Sequence, residues 1–248
     1  MEQEWDYRAM LATDIERSAG RGNTALLRIR EVLTTALRAA FEESGIDWEA
    51  CLRTDLGDGL RVIAPSKVRK ARLIHPLVHE LAVRLRAHNR TAGAATRVRV
   101  RMALHAGELR VGPAGEVTGQ PLEVLARMLD AAPSRSALAA APESVTTSLL
   151  VSQHFYEDTV QHGYPGIDPE SFRKVRLHEK EHTADAWLHL PGHPAVPQEP
   201  PMPGPQRPED EGADGGSGAG HSKMINRASG NGVIYATQNG NIHLTGRP

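Results

Sequence analysis

The 248-residue sequence carries 29 Lys+Arg against 30 Asp+Glu, a formal net charge of −1, so no global field marks it for nucleic acid or a membrane surface. A single cysteine, Cys51, excludes an internal disulfide framework, and no apolar run approaches the ~20 residues of a membrane-spanning helix. The N-terminus MEQEWDYRAM has neither the basic nor the apolar region of a signal peptide, and a soluble cytoplasmic protein is expected.

The first apolar run, Ala9–Thr13, predicts a buried strand ending at Asp14. Leu26, Ile29, Leu33, Leu37 and Phe41 recur at helical spacing over 24–44, with Asn23 as the expected N-cap and Gly45 as the stop. Ile46, Trp48, Ala50 and Leu52 then alternate up to Gly57-Asp58-Gly59, after which come Leu60 and Val62. Glycine and aspartate tolerate the positive φ of tight turns, so this stretch predicts a β-hairpin with Asp58 at its tip. Pro76 suits the start of a helix running to about His88, with Leu77, Leu81 and Leu85 on its apolar face. Val98, Val100, Met102 and Leu104 alternate with Arg97, Arg99 and Arg101, which predicts a strand with one wet face; a short helix is expected near 121–131.

The order β-α-β-β-α-β is that of a ferredoxin-like α+β domain, with helices on one face of an antiparallel sheet. That domain is expected over residues 1–192. Residues 193–222 are rich in Pro, Gly and acid and have almost nothing to bury, which reads as a disordered linker. Residues 223–248 are β-prone again, with Asn239-Gly240 between Val233–Tyr235 and Ile242–Leu244 as a hairpin signal. The tail is too short to fold alone, and its Asn, Gln and Gly content suits stacking with like segments.

In the ferredoxin-like topology the first strand lies beside the central hairpin, so Asp14 and Asp58 are expected to converge. Two carboxylates at one place repel unless protonated or bridged by cations, and a hard divalent ion such as Mg²⁺ suits them.

These segments resemble the catalytic domains of class III nucleotidyl cyclases, the adenylyl and guanylyl cyclases. The resemblance rests on AMLATDIERSAG, LGDGLRV, VRVRMALHAGE and VTGQPLEVLARML, four motifs in order, and extends over roughly residues 7–192. It implies cyclisation of a nucleoside triphosphate by a homodimer with two Mg²⁺ or Mn²⁺ ions. The implied metal ligands are Asp14, Asp58 and the backbone carbonyl of Ile15. Arg127 matches the arginine that stabilises charge on the α-phosphoryl group, a task suited to a permanently charged guanidinium fork.

The same resemblance exposes departures. Glu123 stands where an asparagine orients the ribose, and a carboxylate there repels a triphosphate unless neutralised. Thr54 and Glu116 fill the base-selecting positions with neither the Lys/Asp pair of adenylyl cyclases nor the Glu/Cys pair of guanylyl cyclases, so no base preference follows. The rival reading is a cyclase-homology module without turnover, serving as a nucleotide sensor or signalling adaptor. The tail also resembles the amyloid-type signalling motifs of bacterial conflict-system proteins, some related to RHIM motifs, which implies a partner protein with a matching C-terminal motif.

The remaining features read blandly. His75 and His79 share an i, i+4 spacing but lack a glutamate and third ligand for a metal. His105 and Cys51 read as packing residues. Residues 66–101 hold ten Lys/Arg against one acid, Glu80, without aromatics to stack bases; they read as solvated faces, and nucleic acid is not an expected partner.

Overall fold

The computed structural model describes residues 5–113, 115–179 and 182–193. All but the first residue of the 193–222 linker, and the whole 223–248 tail, lie outside the described residues. Strand β1 spans Trp5–Ile15 and helix α1 Asn23–Glu43; the hairpin is β2, Leu52–Asp55, and β3, Gly59–Ile63. Helix α2, Leu77–Asn89, leads to the long strand β4, Val100–Val111. Then come β5 (Val117–Thr118), α3 (Gln120–Asp130), α4 (Ala132–Ala140), β6 (Thr147–Ser152), α5 (Gln153–Asp158), β7 (Arg173–Glu179) and β8 (His182–His189).

The strands form one sheet in the order β2-β3-β1-β4-β6-β8-β7, with β5 added beside β4. Its first four members are the ferredoxin-like arrangement expected from the sequence. Among the described strands only β4 and β6 pair in parallel. Alternate residues of β1 face opposite sides. Ala9, Leu11 and Ile15 join Ile29, Leu33, Leu37 and Phe41 of α1 and Leu77, Leu81 and Leu85 of α2 in one core. Met10 and Ala12 join Leu125, Met128 and Leu129 of α3 in a second core on the other side. The sheet is therefore covered on both faces, which corrects the one-face expectation: α3 carries its own apolar stripe.

Three local readings are also corrected. Gly22, not Asn23, is the residue before α1, at φ 82° and with no side-chain cap. Residues 46–51 form no strand, although Ile46 and Trp48 are buried. Gly45 turns left-handed at φ 65°, Ile46 N–H returns 2.9 Å to the Phe41 carbonyl, and Glu49 N–H donates 2.9 Å to the Asp47 carboxylate. A helix C-terminal turn followed by an Asx turn thus reproduces the apolar alternation of a strand. Finally, Arg99 and Arg101 do not form a solvated face, since their side chains are only 18% and 12% exposed.

Candidate active site

The hairpin meets β1 through a glycine. Gly59 pairs with Asp14 in the antiparallel register, and a Cβ there would overlap the Thr13 carbonyl. Only glycine allows so close a backbone approach. The buried Thr13 hydroxyl fastens the same junction, donating 3.1 Å to the Leu60 carbonyl and accepting 3.1 Å from Leu60 N–H. Beyond it, Ile15 N–H donates 3.0 Å to the Asp58 carbonyl. The three expected metal ligands, Asp14, Ile15 and Asp58, are therefore brought together by backbone geometry. Leu56 N–H bonds 3.0 Å to the Gly59 carbonyl, and Gly57 takes φ 92°, so Asp58 sits at the hairpin tip as expected.

Each carboxylate also has a protein partner. Ser18 Oγ donates 2.6 Å to Asp58 Oδ2, and Asp14 Oδ2 accepts from Arg101 Nη2 on the adjacent strand. The Asp14 carboxyl lies above its ordinary value because burial penalises its charge; Arg101 pulls it down, and the neighbouring charge of Asp58 pushes it up again. Arg101 Nε and Nη1 are buried with no partner among the described residues. Two residues on, just beyond the ends of β1 and β4, Glu16 and Arg99 form a similar pair at 3.3 Å. Sequence reading missed these pairs, yet a signal existed: Asp14 and Glu16 are two residues apart, as are Arg99 and Arg101. Asp14 faces Arg101 in the β1–β4 register, and just past the strand ends Glu16 N–H donates 2.8 Å to the Arg99 carbonyl.

The donors fit a hard divalent ion in kind, being two converging carboxylates whose mutual repulsion a cation relieves. In number they supply only part of its shell, as where Mg²⁺ is held by one or two carboxylates and completes its coordination with water and substrate phosphates. No group of three or more His, Cys, Asp or Glu that could hold a metal occurs among the described residues, and Arg101 already supplies one positive charge.

The expected substrate-binding residues lie elsewhere. Thr54, exposed on β2, accepts 3.1 Å from Arg61 Nη2. Glu116 lies in the turn from β4 to β5, where its carbonyl accepts 2.8 Å from Gly112 N–H. Glu123 and Arg127 stand one turn apart on α3 and pair at 3.4 Å, with side chains 68% and 47% exposed. An exposed helical pair of this kind is worth about 0.3–0.5 kcal/mol, so Glu123 does not lock Arg127 away from a phosphate. Among the described residues no hydrogen bond or ion pair joins α3 to Asp14 or Asp58.

The arrangement is an adenylate/guanylate-cyclase-type α+β fold. It is similar to an adenylate/guanylate cyclase/hydrolase from Silicibacter pomeroyi at TM-score 0.54 and 16% identity, over 77% of this chain and 99% of that one. The guanylyl cyclase Cya2 gives TM-score 0.52 at 15% identity over 77% of this chain and 96% of that one. A bacterial light-regulated adenylyl cyclase gives 0.51 at 10%, over 74% and 90%. No family model and no curated protein sequence matches the chain. No helix among the described residues is long and apolar enough to cross a membrane.

Proposed function

We propose that the chain converts a nucleoside triphosphate into a 3′,5′-cyclic monophosphate and pyrophosphate. The observation that carries this reading is the seating of Asp58 against Asp14 through Gly59, on a fold shared with cyclase domains. In the reaction the ribose 3′-oxygen bonds to the α-phosphorus, the bond from that phosphorus to the β-bridging oxygen breaks, and the hydroxyl proton is lost. Asp14, Asp58 and the Ile15 carbonyl would hold Mg²⁺ or Mn²⁺. A metal held there would supply a lowered pKa for the hydroxyl and charge to offset the triphosphate. Ser18 and Arg101 orient the two carboxylates, and Arg127 would meet charge growing on the α-phosphoryl oxygens.

The hollow beside Asp58 measures about 40 Å³. Ligand pockets run to roughly 300–1,000 Å³, so a nucleotide needs surface from another source. A second copy presenting its Arg127-bearing helix supplies that surface in the homodimer reading. Soluble, cytoplasmic operation belongs to the same proposal.

Incubation of the protein with each of the four nucleoside triphosphates and Mn²⁺ is expected to yield cyclic monophosphate by mass spectrometry. Asp58→Asn is expected to cut the rate roughly 100-fold or more. Glu123→Asn should raise it by removing a charge from beside the triphosphate.

The Arg101–Asp14 pair and Glu123 favour a second reading, a module that binds nucleotide without turning it over. Metal-dependent nucleotide binding with no product from any triphosphate, in wild type and Glu123→Asn alike, would decide for it. Output would then pass through the 223–248 tail to a partner with a matching motif. The full chain is expected to form thioflavin-positive assemblies at micromolar concentration, and Gln238→Pro to block them. A chain that stays monomeric for days removes the tail from the proposal.

A further inference from the structure

A basic cavity adjoins the aspartate junction, with neither Asp14 nor Asp58 in its lining. At the end of the sheet where β1 leaves and β4 enters, a cavity of about 700 Å³ is lined by Arg17, Arg21, Arg86, Arg90, Arg97 and Arg99. Among the described residues only Glu16 and Glu143 stand against these six arginines, so the described lining carries a net charge of +4. The arginines come from the β1–α1 turn, from α2 and from the approach to β4. The basic run of residues 66–101 is thus partly gathered into a concavity instead of spread over solvated faces.

Three of the six have structural partners. Arg21 donates to four backbone carbonyls, among them Arg17 at 2.7 Å, Glu16 at 2.8 Å and Arg97 at 2.5 Å. Arg99 binds Glu16 at 3.3 Å and the Val145 carbonyl at 3.0 Å, and Arg97 binds Glu143 at 2.7 Å. The other three, Arg17, Arg86 and Arg90, have no acidic partner among the described residues. Arg17 is moreover the one described non-glycine residue with positive φ, at 53°, and Arg21 holds it in that conformation. Arg17 and Arg90 are exposed and Arg86 is half-buried, its guanidinium beside the Gly192 backbone. One hollow is thus lined by three arginines free of acidic partners among the described residues, and planar guanidinium forks match phosphate oxygens in pairs.

We propose that this cavity binds the polyphosphate group of a small molecule of nucleotide size. This goes beyond the cyclase reading: it is a second, metal-independent anion site. The volume suits a small ligand. Among the described residues the lining includes no aromatic side chain on which successive bases of a nucleic acid could stack, and its apolar part, Val83, Ala87 and Ala94, is small.

Titration calorimetry on the full chain in EDTA tests it, with tripolyphosphate, adenosine triphosphate, guanosine triphosphate and an RNA hexamer as probes. Tripolyphosphate is expected to bind, more weakly at high salt. Its affinity should fall roughly tenfold or more in Arg86→Gln/Arg90→Gln and also in Arg17→Gln. Asp58→Asn should leave it unchanged, which separates this site from the aspartates whatever becomes of catalysis there. Tighter binding of a nucleoside triphosphate with the same arginine dependence would identify a nucleotide as the source of the phosphate. Absence of tripolyphosphate binding, or binding indifferent to all three arginines, overturns the proposal. So does an RNA hexamer that outcompetes every small probe at these residues.

Discussion

Asp14→Ala is expected to destabilise the protein by about 3 kcal/mol, whereas Asp58→Asn costs less than about 1 kcal/mol, although both carboxylates share one proposed site. The difference follows from burial. The Asp14 and Arg101 side chains are 16% and 12% exposed, and both lie on the central strand pair β1–β4. Removal of Asp14 leaves a buried guanidinium whose Nε and Nη1 already lack partners among the described residues. An uncompensated buried charge of this kind costs about 3–5 kcal/mol, and the remaining exposure places the loss at the low end. Asp58 loses only a hydrogen bond from Ser18 at a half-buried hairpin tip.

Asp14→Ala/Arg101→Leu should recover most of the loss, because an apolar pair replaces a buried ion pair at little net cost. Urea denaturation of the four-member cycle measures the coupling, and additive single effects would refute the account. A functional consequence follows. In Arg101→Leu the two aspartates face each other without their internal cation, so Mg²⁺ should raise the melting temperature of that variant more than that of the wild type. An equal response would mean that Arg101 does not compete with a metal for Asp14.

Much of this fold was legible because its elements are short-range patterns. The helical spacing of Leu26–Phe41, the Gly-Asp-Gly tip and the apolar alternation from Val98 to Leu104 each fixed an element, and their order fixed the topology. The convergence of Asp14 and Asp58 followed from topology alone. What stayed hidden depends on register and on packing across the sheet. Arg101 looked like a solvated residue because alternation locates a face without naming what covers it; here β1 presents an acid directly opposite. The turn after α1 imitated a strand because Ile46 and Trp48 are buried by a loop, with Trp48 against Phe41 at 5.2 Å between ring centroids. The cavity arginines come from three separate segments, and only the tertiary fold could show that they meet. Cys51 is the small buried group its residue type suggests, although it lies in the turn before β2 and not in a strand; burial pushes its thiol up to about 11.

The protein is expected to lose about 2–3 kcal/mol of stability between pH 6.5 and pH 4 through His105 alone. Burial, aided by the nearby charge of His154, lowers the His105 pKa from 6.5 to about 4. In the unfolded chain the imidazole keeps its ordinary value near 6.5. Between the two pKa values the unfolded state therefore binds the proton that the folded state refuses, so stability is whole above pH 6.5 and drains as the pH falls. Each unit of difference corresponds to about 1.4 kcal/mol, and the figure given is discounted because the ring is only half-buried. The burial has a local purpose. His105 Nδ1 lies 2.8 Å from Ser152 Oγ, the same hydroxyl that accepts 3.2 Å from Phe155 N–H and caps α5. Tyr7 closes the far side of the cluster, its hydroxyl 2.6 Å from His154 Nε2. His189, also lowered by burial, acts in the same sense, while Asp14, raised by burial, acts in the opposite one. The test must therefore be a difference. Stability by urea denaturation at pH 7, 6, 5 and 4 should slope less steeply in His105→Gln than in wild type, and the gap should open below pH 6.5. Parallel curves would mean that His105 takes its proton without unfolding the chain, and that Ser152 holds α5 whether or not the imidazole is charged.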